Sequence, residues 1–393
     1  MAETRKASRF IVPVAVAGVA AATIGLVPAL AASGDPDLPE ITAQQLIEKI
    51  AASDTQTLSG TFKVSTDLGL PALGGLASGL GGLGGGGSAS ADPSERLTEL
   101  VSGSHTLRVA ADGPERQRLT LLDGSDEYSL IHNGDDVWGY DSKSNEVFHE
   151  KGASGAADAP EDHKLPGTPK ELADEVLKAA GDTTSITVDG TAKVAGRDAY
   201  QLVIKPKQAG STVASVKIAV DAASGTPLKF TLSSVEGGKP VVDAGFTKID
   251  FGKPAASEFA FQVPKGAKVT EGAQDAAEKA AGEDLPKGFE EGFPGLGAGF
   301  GADFGKGGGP NVIGEGWTTI AAFDTGAPAP KTDEAPKEIQ GFLDSLGDKV
   351  TGKFGSGTLF KTKLVNALLT DDGKVYVGAV TKDALVRAAD AGK

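Results

Sequence analysis

From Thr184 to Ala267 apolar side chains fall on every second position through six successive runs. The first holds Ile186, Val188, Ala192 and Val194; the second Tyr200, Leu202 and Ile204; the third Val216, Ile218 and Val220. Leu228, Phe230 and Leu232 make the fourth, Val242, Ala244 and Phe246 the fifth, and Phe259, Phe261 and Val263 the sixth. Mainly Ser, Thr, Asp and Lys lie between them. A period of two gives each strand one wet and one apolar face. The pattern therefore predicts six amphipathic strands in an antiparallel meander whose apolar face must be covered. In the fifth run the apolar phase passes from Phe246 to Ile249 and Phe251. Alternation changes phase only at an irregularity, so a bulge or bend is expected near Thr247-Lys248.

Upstream, Thr42 and Gln45 have the spacing of a capping box, with Ile41 and Leu46 as the matching staple and Leu46, Ile47 and Ile50 as an apolar stripe, so a helix is expected there. A strand with Leu58, Phe62 and Val64 on one face follows. Gly69–Gly87 holds ten Gly and five Leu. It reads as a flexible loop joining two strands or as a mobile apolar flap, and the insert is bounded at 69–92. Strands are expected at Thr106–Ala111, Arg116–Leu122, Tyr128–Ile131 and Val137–Asp141, with turns at Asp112-Gly113-Pro114, Asp123-Gly124 and Asn133-Gly134. A second capping box, Thr168-Pro169-Lys170-Glu171, starts a helix that buries Leu172, Val176, Leu177 and Ala180 and stops at Gly181.

Residues 270–311 collapse to Gly, Glu, Ala and isolated Phe and read as a disordered linker. Residues 312–393 then read as a β-α-β-β-α module: a strand at Trp317–Phe323, a helix carrying Ile339, Phe342, Leu343 and Leu346 that ends at Gly347, strands at Leu359–Leu369 and Val375–Val380 around Asp372-Gly373, and a last helix capped by Thr381.

The first 31 residues have the pattern of an export signal. Arg5, Lys6 and Arg9 precede an apolar, Ala-rich stretch from Ile11 to Leu30, and Ala29-Leu30-Ala31 fits a small-x-small cleavage site. Retention as an N-terminal membrane anchor is the alternative, since about 20 residues are enough to span. Both place the body, 32–269 and beyond, outside the cytoplasm. The net charge of −15 argues against nucleic acid and against anionic membrane surfaces as electrostatic partners. With no cysteine in the chain, disulfides, thiolate metal sites, a Cys nucleophile and diacylglycerol anchoring are excluded.

No catalytic constellation stands out. His105, His132, His149 and His163 form no i, i+3 or i, i+4 pair, and Gly-x-Ser-x-Gly is absent. Gly305-Lys306 fails as a P-loop because residue 300 is Phe and residue 307 is Gly. Asp135-Asp136 reads as part of a turn, and Asp158, Glu161 and Asp162 as a solvated acidic loop. No enzyme activity, cofactor or metal is expected. Trp138 and Tyr140, two apart on one strand, either pack in a core or line a cavity.

Three phrases carry a resemblance. Asn133-Gly134-Asp135-Asp136-Val137-Trp138-Gly139-Tyr140-Asp141, Asp221-Ala222-Ala223-Ser224-Gly225-Thr226-Pro227-Leu228-Lys229 and Phe259-Ala260-Phe261-Gln262-Val263-Pro264-Lys265-Gly266-Ala267 follow one another at the spacing of a known pattern. Over residues 38–269 the chain resembles the LolA/LolB/RseB-like lipoprotein-carrier superfamily. The Gly/Leu insert and the C-terminal module fall outside that pattern. The resemblance implies an α+β fold: a strongly curved antiparallel β half-barrel with a helical lid or plug and an apolar cavity for acyl chains, here followed by a small C-terminal α+β module. Phe62, Val64, Trp138, Tyr140, Tyr200, Leu202, Val216, Ile218, Phe230 and Leu232 are the expected lipid-binding cavity. The function implied is non-enzymatic carriage of lipid or of lipoprotein acyl chains. The alternative is an RseB-like envelope sensor that binds a membrane protein, and a structural envelope protein with a filled core is a third reading.

Overall fold

The computed structural model describes residues 35–69, 91, 93, 103–151, 169–271, 311–324 and 347–392. Helix α1 (Ala43–Ala51) starts at the expected box: the Thr42 hydroxyl accepts from the Gln45 amide and the Gln45 side chain accepts from the Thr42 amide. Six strands follow, β1 (Thr57–Thr66), β2 (Gly103–Asp112), β3 (Arg116–Asp123), β4 (Asp126–Asn133), β5 (Asp136–Asp141) and β6 (Glu146–Lys151). Helix α2 (Pro169–Ala180) leads to β7 (Thr184–Val194), β8 (Arg197–Pro206), β9 (Val213–Asp221), β10 (Pro227–Ser234), β11 (Val242–Asp250) and the short β12 (Lys268–Glu271).

These strands form one twelve-stranded sheet in the order β12-β6-β5-β4-β3-β2-β1-β11-β10-β9-β8-β7. All neighbours are antiparallel except β12 and β6, so the sheet is mixed. Its end strands do not pair with each other, which leaves it open. With two sheets and three described helices the fold is mostly β, where α+β was expected.

The expected irregularity in the fifth run is present. Thr61 pairs with Lys248 but Phe62 with Phe246, so Thr247 is the extra residue, and its hydroxyl donates to the Thr61 carbonyl. A second bulge was not legible. Val188 pairs with Leu202 but Thr191 with Tyr200, so the ladder slips at Asp189-Gly190. Ala192 and Val194 therefore leave the row of Ile186 and Val188 and join a different cluster, with Ala199, Ala219 and Leu228. The sixth apolar run is not a strand. A 3-10 turn at Ala256–Glu258 precedes it, and Phe259 and Phe261 are fixed by side-chain burial and ring contacts instead of a ladder. Val176 is 39% exposed rather than buried, whereas Leu177 packs into the core under α2.

The C-terminal sheet has six antiparallel strands: β13 (Asn311–Ile313), β14 (Ile320–Asp324), β15 (Gly347–Gly352), β16 (Gly355–Phe360), β17 (Asn366–Thr370) and β18 (Lys374–Gly378), with helix α3 (Lys382–Ala391) packed on it. This departs from the expected β-α-β-β-α order. Trp317 sits in a 3-10 turn before β14, Leu359–Leu369 is split between two strands, and Gly347 begins a strand. Thr381 precedes α3 as its N-cap residue but makes no side-chain cap bond; its amide donates to the Gly210 carbonyl of the large sheet's β8–β9 connection. Residues 270–271 and 311 belong to strands. The remaining expected linker, the export signal, the Gly/Leu insert, Thr168, the 339–346 helix, His163 and the 158–162 acidic loop lie outside the described residues.

Candidate functional site

Strand register defines one apolar face across the whole large sheet, because directly opposed residues share a face. From one end, Val188 opposes Leu202, Leu202 opposes Ile218, Ile218 opposes Phe230, Phe230 opposes Ala244, and Ala244 opposes Val64. The next row runs from Phe246 through Phe62, Leu107 and Leu121 to Tyr128. Beyond the Thr247 bulge, Ile249, Gly60, Val109, Leu119, Leu130 and Gly139 continue it.

This face is covered in three ways. At the β7–β9 end, α1 and α2 lie over Tyr200, Leu202 and Val220, with Leu46 wholly buried between them. The Tyr200 hydroxyl donates to the Pro39 carbonyl at 3.0 Å. In the middle, Val216, Leu232 and Val242 meet Leu364, Val365 and Trp317 of the C-terminal sheet's side. At the β2–β5 end, the described cover is Ala91, whose carbonyl accepts from the Tyr128 hydroxyl at 3.0 Å. Gly139 makes room for this crossing: a Cβ there would lie 2.4 Å from the Ala91 carbonyl oxygen.

Among the described residues, part of the face between these covers is left open. Phe230 is 37% exposed. A concavity of about 330 Å³ runs along Leu58, Val109, Leu119 and Leu130, with Gln117 and His132 at its end. His132 Nε2 is buried there without a hydrogen-bond partner. The arrangement can hold an apolar chain along aliphatic walls and a single polar atom beside the imidazole.

The ten residues expected to line one cavity divide accordingly. Tyr200, Leu202 and Ile218 lie under the helices, Val216 and Leu232 at the joint with the C-terminal sheet, and Phe62 and Val64 in the cluster of Leu107, Leu121 and Tyr128. Phe230 stands open between them. Trp138 and Tyr140 are on the opposite face, because it is Gly139 that opposes Leu130. They pack against Phe261, at centroid distances of 5.3 and 5.9 Å. A single cavity cannot take all ten. Sequence reasoning missed Val109, Leu119 and Leu130, although each lies on an alternating run; the signal was there, in shorter strands than those of the second half.

The polar frame sits beside the helix-covered end. Asp221, 1% exposed, receives Arg197 Nε at 2.5 Å and Nη2 at 3.0 Å, together with the amides of Ala223 and Ser224. Burial opposes its ionisation, but the Arg197 guanidinium and the Ser224 groups outweigh it and hold its carboxyl below the usual carboxylate range. The turn this builds brings Gly225, at φ +75°, against α1: a Cβ there would lie 2.3 Å from the Lys49 carbonyl oxygen. The phrase at Asp221–Lys229 is thus the device that docks the helix.

The joint between the sheets is hydrogen-bonded as well as apolar. Ser211 bridges Val380, and the Thr212 amide donates to the Ala379 carbonyl at 3.0 Å while its hydroxyl donates to the Leu364 carbonyl. Trp317 Nε1 donates to the Thr184 hydroxyl at 2.7 Å, and Lys363 pairs with Asp67 at 2.7 Å. The Lys363 ammonium holds the Asp67 carboxyl below its ordinary range.

Residues 97–265 match the MucB/RseB N-terminal domain. The resemblance read from the three phrases is thereby borne out over most of the large sheet. Among solved structures, the chain is similar to the Pseudomonas aeruginosa MucA/MucB complex, at 16% identity over 88% of this chain and 96% of that one, with a TM-score of 0.38. It is similar to an uncharacterized conserved protein from Thermus thermophilus at 13% identity over 58% of this chain and 98% of that one, TM-score 0.31. It is also similar to a LolA superfamily protein from Nitrosomonas europaea at 10% identity over 56% and 99%, TM-score 0.22. No curated protein sequence matches the chain. Among the described residues no helix is long and apolar enough to cross a membrane, and no group of His, Cys, Asp and Glu is placed to hold a metal ion.

Proposed function

We propose that this chain is an extracytoplasmic, non-enzymatic regulatory protein of the MucB/RseB kind. Its large sheet takes up an acyl chain, and the C-terminal sheet relays that occupancy to a membrane protein of the envelope. The observation that carries the reading is the shared face: the side chains that line the concavity lie on the same face of the sheet as Val216, Leu232 and Val242, against which Leu364, Val365 and Trp317 pack. A chain entering the open stretch around Phe230 meets the joint directly. Differential contact of this kind is what lets a ligand shift an equilibrium.

In this reading the large sheet acts as a half-barrel curved around its ligand, with α1 and α2 as the plug. Phe62, Val64, Ile218 and Phe230 contact the ligand together with Val109, Leu119 and Leu130. Burial supplies the affinity, at about 0.8 kcal/mol for each methylene removed from water. Residues 1–31 export the chain, and their cleavage or retention decides whether it is released or anchored.

The open concavity also favours a second reading, a carrier that holds lipid or lipoprotein acyl chains and needs no partner. One experiment separates the two. The full chain, immobilised with and without palmitate, is presented with detergent-solubilised envelope proteins. The regulatory reading expects a membrane protein to be captured in an amount that palmitate changes. Palmitate binding with no palmitate-dependent capture establishes the carrier instead.

A further inference from the structure

We infer that His149 is a protonation-dependent clasp that fastens β12, and with it the start of the segment running from the large sheet toward the small one, to the edge of the sheet. Its ring nitrogens both face carboxylates: Nε2 lies 2.8 Å from Asp136 Oδ1 of β5, and Nδ1 lies 2.9 Å from Glu271 Oε2 of β12. A neutral imidazole carries one N–H and satisfies one of these contacts; the imidazolium donates to both. The ring also lies flat on Trp138, with centroids 3.7 Å apart and planes 13° from parallel, and the face of an indole favours a cation. The histidine side chain is 14% exposed, so these contacts are only partly screened, whereas Glu271 is 70% exposed and free to leave.

Among the described residues the charged neighbours are few. Asp136 comes from β5, Glu271 from β12, and Lys151, the register partner of Asp136, from the ring's own strand. The segment behind Trp138 presents Phe261 to the stack. The Lys268–Glu146 pair lies on the other face of the same two strands. Among the described residues strand β12 has little else to hold it. It is four exposed residues long and joined to one neighbour, in the sheet's one parallel pairing. The imidazolium between two carboxylates is therefore its main side-chain attachment on this face. The sign follows: the imidazolium closes the clasp, and loss of its proton removes one hydrogen bond and the bridging positive charge, so the clasp is tighter at lower pH.

The test is amide hydrogen exchange at Val269–Glu271 in the full chain, at about pH 5.5 and about pH 8, corrected for intrinsic rates. Protection about fivefold higher at the lower pH is expected, the scale of one hydrogen bond lost. His149→Gln is expected to remove the difference. Glu271→Ala, an exposed change that leaves the ring and Trp138 in place, is expected to remove it as well and serves if His149→Gln does not fold. Equal protection at both pH values in the unmodified chain overturns the inference. So does a pH dependence that survives in either variant.

Discussion

The two ends of the apolar face share one alternation and meet different fates. At the β7–β9 end Leu202 and Val220 are sealed beneath α1 and α2, and the turn at Asp221–Gly225 locks α1 in place. At the β2–β4 end Val109, Leu119 and Leu130 carry the same kind of side chain on the same face and line a concavity. Alternation therefore says that a face is shielded from water and leaves open by what. Among the described residues the difference is made by groups of no hydrophobic weight: an arginine–aspartate pair and a close glycine at one end, the Ala91 carbonyl crossing Gly139 at the other.

The contrast breaks most clearly under truncation. Leu46→Ala is expected to lose about 3–5 kcal/mol of unfolding free energy in urea, since a sealed core does not collapse around a lost side chain. Leu119→Ala, beside existing free space, is expected to lose about 1–2 kcal/mol, little more than its transfer free energy. Equal losses in the two variants would mean that the two ends are packed alike.

Removing the lock sharpens the comparison. Asp221→Asn leaves Arg197 facing a neutral group in a half-buried site, and a loss of about 2–3 kcal/mol is expected, reduced from the fully buried case because a third of Arg197 reaches solvent. The pH dependence has a definite sign. A carboxyl with a lowered folded-state pKa contributes stability in full above its unfolded value of about 3.9 and loses it as pH falls through the folded value. Acid titration of stability should thus be steeper in the unmodified chain than in Asp221→Asn. Gly225→Ala combines a left-handed backbone with the approach to Lys49, and about 1–3 kcal/mol is expected, read as loss of exchange protection concentrated in α1. The smallest effect concerns the joint. Trp317→Phe deletes the hydrogen bond to Thr184 and should lose about 1 kcal/mol, seen calorimetrically as a lower transition for the C-terminal sheet.

Much of this was legible in the chain. Period-two runs gave β1–β5 and β7–β11, turn dipeptides gave their connections, and the phase change at Phe246 gave the Thr247 bulge. The failures share a cause. Ala192 and Val194 keep the parity of Ile186 and Val188, so the slip at Asp189-Gly190 leaves no trace in the pattern. Phe259, Phe261 and Val263 alternate as a strand does, yet Phe259 is buried and Phe261 ring-packed without a ladder, and spacing cannot tell these apart. The resemblance puts Trp138 and Tyr140 in one cavity with the second-half residues, but face membership passes through the registers of several strand pairs, and every bulge resets it. The clasp at His149 joins residues 122 apart in sequence, beyond the reach of local reading.

The most direct test of the shared face is hydrogen exchange of the full chain with and without palmitate. Slower exchange in β2–β4, accompanied by altered exchange at residues 211–213 and 364–366 across the joint, is the expected result. Palmitate that leaves both regions unchanged, or that protects β2–β4 without reaching the joint, would contradict the coupling of acyl-chain occupancy to the C-terminal sheet.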